Sequence, residues 1–285
     1  MTDLAKLPQQ IAHAEELVRP AIRRDCEKRI DWADGPVQTD LAIVYIHGFS
    51  ASPRELSPVV ERVAAELSAN AFFTRLTGHG QDGAAMATAT LEAWQADVEE
   101  ALRIGRRIGR RVVLMGCSTG CTLMTLAGPA EGVVAHVHFA PNFGVKSALT
   151  QAILDAPYAH VWGPWVAGRE RSFEIVGPGH EDYWTTRYPT VAVMPMAAAV
   201  RAARKRGVAD MKLPALFLFS DHDQVVNPKR THRVMQAWPG PVTHIPLEAL
   251  PEDDDSRHVM AGDVFAPHRT DAAVEACVDF LKTAL

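Results

Sequence analysis

Cysteine is scarce: Cys26, Cys117, Cys121 and Cys277 are the only four in 285 residues. They show no zinc-ligand spacing, and four in a chain of this length do not make a disulfide framework, so free thiols are expected. Long apolar runs are also missing. None approaches the ~20 residues of a membrane span, and residues 1–10 lack the charged start and apolar core of a signal peptide, so a cytoplasmic protein without stable membrane insertion is expected. Charge of one sign does not dominate either. The formal net charge is −5, and the basic residues are scattered apart from Arg106-Arg107 and the cluster over 201–206, which excludes a nucleic-acid footprint. No internal repeat or low-complexity tract breaks the pattern.

What is present is a large apolar inventory, 47% of the chain, enough to bury one extensive core. Its period switches between two and 3.6. Strands are expected over 41–46, 71–75, 112–115, 133–139, 213–219 and 242–246. Between them fall helical patterns near 54–69, on Leu91, Trp94, Val98, Ala101 and Leu102, and on Val274, Cys277, Val278 and Leu281. This alternation predicts an α/β fold with a mostly parallel, doubly wound sheet. Ile11, Ala14, Leu17, Val18, Ala21 and Ile22 suggest a helical N-terminal arm over 1–35, interrupted by Pro20. The core is then 36–140 and 211–285. Over 141–210 the period loosens, and half of the six tryptophans gather there. This segment reads as a helical cap insert, in which Trp162, Trp165, Trp184 and Met194 are candidates to line a substrate pocket.

The most informative motif is Gly116-Cys117-Ser118-Thr119-Gly120, which follows the β-rich run 111–115 and opens into a helix-compatible stretch. Glycines on either side of a serine allow a sharp strand-to-helix turn that lifts the hydroxyl to the N-terminus of a helix. A serine hydroxyl is a poor nucleophile near neutral pH unless a histidine takes its proton and a carboxylate orients that histidine. Beyond Ser118 the chain offers Asp221 and Asp223 just past a strand, at the rim where open α/β sheets place ligand sites. His258 follows an acidic run, 252–255, which reads as a solvated face. His136 and His138 alternate on a strand and point to one side, a possible metal pair, but no third ligand stands at convincing spacing, and no metal or other cofactor is expected.

Tyr45-Ile46-His47-Gly48-Phe49, the serine motif, Asp223-Gln224-Val225-Val226-Asn227-Pro228 and His258-Val259-Met260 together resemble the α/β-hydrolases, and within them the small carboxylesterases and monoacylglycerol lipases. Leu76-Thr77-Gly78-His79-Gly80 and Trp94-Gln95-Ala96-Asp97-Val98 are softer echoes. The resemblance spans residues 41–285 apart from the insert. It implies an α/β-hydrolase fold, Ser118 as nucleophile, Asp223 rather than Asp221 as acid, His258 as base, and the backbone N–H groups of Phe49 and Thr119 as the oxyanion hole. The implied substrate is a small-molecule ester. A thioesterase, a carbon–carbon bond hydrolase using the same residues, and a catalytically silent binding protein are the alternatives. The stretch 31–40 is too short for the larger N-terminal sheet of some relatives, so a short sheet is expected. His47 reads as a loop histidine that shapes its turn, and Cys117, beside the serine, as a site of sensitivity to thiol reagents.

Overall fold

The structure, a computed structural model, describes residues 4–285. It opens with helix α1 (Leu7–Glu16), which buries Leu7, Ile11 and Glu15 at helical spacing. The helix stops at Glu16, short of Val18, Ala21 and Ile22, because the residue before Pro20 is disfavoured in the α region and proline offers no N–H to continue the ladder. After it come β1 (Arg29–Asp31), β2 (Thr39–Ile46), α2 (Val59–Glu66), β3 (Asn70–Phe73), α3 (Gly83–Met86), α4 (Leu91–Ile108), β4 (Gly109–Cys117), α5 (Thr119–Ala127) and β5 (Val133–Phe139). The 141–210 segment holds α6 (Ala148–Asp155), α7 (Ala159–Ala167), β6 (Glu170–Ser172), α8 (His180–Tyr183), β7 (Arg187–Pro189) and α9 (Met194–Arg206). The chain closes with β8 (Ala215–Phe219), α10 (Pro228–Ala237), β9 (Val242–Pro246) and α11 (Thr270–Ala284).

Seven strands form one sheet in the order β1-β3-β2-β4-β5-β8-β9, while β6 and β7 make a separate two-stranded ribbon. Only β1 runs antiparallel, pairing Ile30 with Phe72 at the edge; at three residues it is too short to show a period. Strand alternation divides the core in two. Ala42, Val44 and Ile46 of β2 join the cluster that contains Trp94, Val98 and Ala101 of α4 and Val200 of α9. Ile43 and Tyr45 point the other way, into the cluster with Val63 of α2 and Val274, Cys277 and Leu281 of α11. A sheet covered on both faces is why these strands read as near-continuous apolar runs. Among the described residues no helix is long and apolar enough to cross a membrane.

Two devices shape the rim at the C-terminal ends of the strands. At the β4–α5 turn it is Ser118 itself that takes the left-handed backbone, with φ 50 and ψ −112, and neither Gly116 nor Gly120 has a positive φ. Those glycines matter for space: a Cβ on Gly120 would sit 1.9 Å from the Ile46 carbonyl oxygen. The second device ties the N-terminal helix to the loop after β3. Arg75 makes a fork of hydrogen bonds to Glu15, Nε to Oε2 at 2.7 Å and Nη2 to Oε1 at 2.9 Å, with both side chains about 5% exposed. Arg75 Nη1 also donates to the His79 carbonyl at 3.1 Å.

Candidate active site

Ser118, Asp223 and His258 follow β4, β8 and β9, and the structure brings the three side chains together. His258 Nε2 lies 2.9 Å from Ser118 Oγ, and Nδ1 lies 2.7 Å from Asp223 Oδ2. Asp223 is 1% exposed. Its other oxygen accepts the Val225 and Val226 N–H groups at 2.7 and 2.8 Å, so the Gln-Val-Val run after the aspartate serves to grip its carboxylate. An ionised Asp223 places the histidine proton on Nδ1 and leaves Nε2 free to accept from the serine. Burial disfavours the imidazolium of His258, but the charge and hydrogen bond of Asp223, with Glu55 and Asp254 behind, outweigh it and raise the ring above its ordinary value.

Asp221, the competing acid, is elsewhere: its exposed carboxylate meets His232 Nε2 at 2.7 Å. The acidic run before His258 is not simply a solvated face. Asp253 has a side chain 1% exposed and takes Arg269 Nε and Nη2 at 2.6 Å each, the Leu250 N–H and His268. Burial alone would raise its carboxyl, yet those donors hold it down at about 2. Asp253 anchors the loop that delivers the histidine. A charge run in one sequence gives no sign of the partner sixteen residues later.

Phe49 and Thr119, the expected oxyanion donors, both line the cavity over Ser118, and among the described residues neither N–H has a hydrogen-bond partner. His47 directs the first of them. Its Nε2 accepts the Leu76 N–H at 3.0 Å, so the proton is on Nδ1, which donates to the Gly48 carbonyl at 2.8 Å. In a trans peptide the C=O and following N–H point in opposite directions, so pinning the Gly48 carbonyl toward His47 turns the Phe49 N–H away from it. Burial, and next the neighbouring His79, keep His47 well below its ordinary pKa, hence neutral. The two soft echoes of the sequence also meet here: Trp94 Nε1 donates to the Thr77 carbonyl at 3.0 Å and Asp97 accepts the Thr77 N–H at 2.6 Å.

The cavity has a volume of about 940 Å³. Of the four residues expected to line a pocket, Trp184 does so, with Phe173, Tyr188 and Met196 beside it. Trp165 does not: it is 81% exposed on the outer side of α7. Trp162 turns its Nε1 to the Pro157 carbonyl at 2.8 Å and is absent from the lining, and Met194 lines a smaller hollow of about 380 Å³ near α4 instead. Among the described residues, Trp162 and Trp165 lie on α7, which does not line the cavity, and Trp184 follows α8, which does; composition does not say which segment faces it. Glu55 and Tyr45 are the residues that sequence reasoning missed. Glu55 is 2% exposed, lines the cavity, and through Oε2 accepts the Gly48 N–H at 2.7 Å and the Tyr45 hydroxyl at 2.8 Å. Nothing in the irregular stretch 52–56 marks it out.

Cys117 is fully buried, and burial first, then the Glu55 charge, push its thiol well up, so the expected sensitivity to thiol reagents is corrected. All four cysteines are free and buried. His136 and His138 do lie together, ring centroids 5.5 Å apart, but no group of three metal-ligating side chains occurs among the described residues. Both rings are fully buried, and among the described residues their nitrogens have no hydrogen-bond partner. Burial lowers His136 to about 3 and His138 well below its usual value. In the unfolded chain both titrate near 6.5, so their contribution is complete above that pH and is lost as the pH falls toward the folded value, at about 1.4 kcal/mol per pH unit for each ring. Urea unfolding at pH 7.5 and 5.0 should show this as a fall in stability that is about 2 kcal/mol smaller in His138→Leu, because the ring adds to that fall only below about pH 6.5. Identical pH slopes in the two proteins would remove the ring as the source.

The sequence profile of the alpha/beta hydrolase family matches residues 43–275. The chain belongs to that family. No curated protein matches the sequence significantly. Among solved structures, one of the metagenome-derived lipolytic enzymes LipS and LipT is similar at 21% identity, with a TM-score of 0.74 over 92% of this chain and 99% of that one. A monoacylglycerol lipase of Paleococcus ferrophilus is 12% identical, with a TM-score of 0.62 over 89% and 98%. A soluble variant of the Saccharomyces cerevisiae monoglyceride lipase is 11% identical, with a TM-score of 0.63 over 90% and 91%. At these identities the likeness carries the fold: a seven-stranded, mostly parallel sheet flanked by helices, the α/β-hydrolase fold.

Proposed function

We propose that this hydrolase cleaves carboxylic esters through an acyl-enzyme, with Ser118 as nucleophile, His258 as base and Asp223 as the orienting acid. The observation that carries the reading is the unbroken relay of contacts, Ser118 Oγ to His258 Nε2 at 2.9 Å and Nδ1 to Asp223 Oδ2 at 2.7 Å. Ser118 Oγ attacks the ester carbonyl while its proton passes to Nε2. The Phe49 and Thr119 N–H groups take the oxyanion, each worth about 3 kcal/mol at the transition state. Collapse expels the alcohol, which leaves with the proton from Nε2. Water then gives a proton to the same nitrogen, attacks the acyl group, and releases the acid and the free serine. No cofactor takes part in this sequence. The 141–210 segment acts as the cap, its Phe173, Ile175, Trp184 and Tyr188 contributing apolar wall for an acyl chain. Lipolytic and monoacylglycerol-lipase neighbours of the same fold support an ester of a fatty or short-chain acid as the substrate class.

The test is hydrolysis of p-nitrophenyl butyrate with a pre-steady-state burst. Because only the neutral ring accepts the serine proton and the site raises His258, kcat/KM should fall on the acid side with a midpoint above 6.5. A rate unchanged down to pH 4 excludes a histidine base, and the absence of both burst and turnover would leave a binding protein on this fold.

A further inference from the structure

Glu55 is a buried carboxylate at the cavity that the steps above leave without a task and that, among the described residues and unlike Asp253, anchors no loop through a cation. We propose that Glu55 is a positioning residue of the ester-cleaving site, holding the His47–Gly48 peptide so that the next N–H, that of Phe49, faces the substrate carbonyl; the assignment rests on the ester-hydrolase reading. Gly48 has a peptide on each side of its Cα, and each is held by a buried side chain. His47 Nδ1 takes the carbonyl of the following peptide at 2.8 Å, and Glu55 Oε2 takes the N–H of the preceding one at 2.7 Å. The Tyr45 hydroxyl, projecting from β2, fixes the same oxygen at 2.8 Å. In its ionised form the carboxylate makes this hydrogen bond roughly twice as strong as one to a neutral acceptor.

The other carboxylate oxygen reaches the nucleophile's neighbourhood. A Cβ placed on Gly48 would lie 2.6 Å from Glu55 Oε1 and 3.1 Å from Ser118 Cβ, so the loop, the carboxylate and the serine share one tight space. That closeness is what favours glycine at 48 and gives Glu55 a line of influence on the chemistry. Tyr45 from β2, Cys117 from the end of β4 and His258 from the loop after β9 are the titratable groups around Glu55; those around His258 are Asp223, Glu55 and Asp254. Burial pushes the Glu55 carboxyl up, and in its ionised form it helps hold His258 up.

Glu55→Ala should lower kcat on p-nitrophenyl butyrate by about 100-fold, the scale of one misdirected oxyanion donor, with KM little changed. In Glu55→Gln the amide oxygen can accept the same N–H and hydroxyl, so kcat should return to within a few-fold of the parent. The acid limb of kcat/KM should nevertheless move to lower pH, since the charge facing His258 is gone. A purely structural role would not separate height from limb in this way, and thermal midpoints of both variants monitor the fold. A parent-like kcat in the alanine variant, an amide variant as slow as the alanine one, or an unmoved acid limb in the amide variant each overturns the proposal. If the alanine variant does not fold, the amide variant's limb decides. The rate of Ser118 phosphonylation by a fluorophosphonate, which draws on the same donors, is the second readout. It separates the two ideas: a parent that labels but turns over no ester sinks the ester reading, and equal labelling rates in parent and Glu55→Ala sink the Glu55 assignment.

Discussion

Replacing Ser118 with alanine is expected to lower kcat on a p-nitrophenyl ester by about a million-fold, the scale seen when a nucleophile is lost from a serine–histidine–aspartate site. The residual rate belongs to the oxyanion donors and binding, which the substitution leaves in place. The protein should stay folded. Among the described residues Ser118 Oγ has one hydrogen bond, to His258, and the left-handed backbone at φ 50 is carried by a non-glycine residue already, so alanine adds little strain. Labelling by a fluorophosphonate should vanish in the same variant, because phosphonylation needs the Oγ itself. Full-stoichiometry labelling of Ser118→Ala would move the nucleophile to another residue and dismantle the mechanism.

Asp223→Asn should cost about ten-thousand-fold in kcat, and the geometry gives the reason. The Val225 and Val226 N–H groups both point at Oδ1, so an amide oxygen is drawn to that side and its NH₂ is turned toward His258 Nδ1. A donor facing Nδ1 forces the ring proton onto Nε2, the nitrogen that must be bare to accept from Ser118. The shape of the site survives while the tautomer is wrong. Asp221→Asn, two residues away, touches only an exposed contact with His232 and should leave kcat within about twofold, as surface changes of this kind do. Comparison of the two variants by steady-state kinetics checks the assignment. A larger loss at 221 than at 223 would reverse it.

Much of this arrangement was legible in the chain because it is written in local signals. The alternation of apolar strands with helical periods located every parallel strand of the sheet to within a few residues, and the order serine, aspartate, histidine at strand ends pointed to the groups that the structure brings together. What was not legible depended on partners distant in sequence. Edge strand β1 has three residues and no period. Glu55 earns its place only through Tyr45 and Gly48, and Asp253 only through Arg269, so a single sequence shows each as one more surface acid. The tryptophans of the 141–210 segment illustrate the converse. Their number suggested a pocket, but Trp184, just past α8, faces it and Trp165, on α7, faces outward, a difference of placement that composition does not encode.

The fork between Arg75 and Glu15 has a bearing on how this protein is handled and how its start is defined. Helix α1 looks like a removable leader, yet its glutamate neutralises a guanidinium that is otherwise sealed from water and that also grips the His79 carbonyl. Leu76, next along that loop, gives its N–H to His47, and His47 aims the Gly48 carbonyl. A chain clipped by a protease just after this helix would keep every residue of the proposed chemistry and inherit an unmatched internal cation. Breaking such a pair by removing one partner costs about 3–5 kcal/mol, a large part of the stability of an ordinary domain. Helix α1 therefore behaves as a remote brace of the loop proposed to hold the carbonyl, and the smallest piece able to do the proposed chemistry is longer than the sequence motifs alone imply.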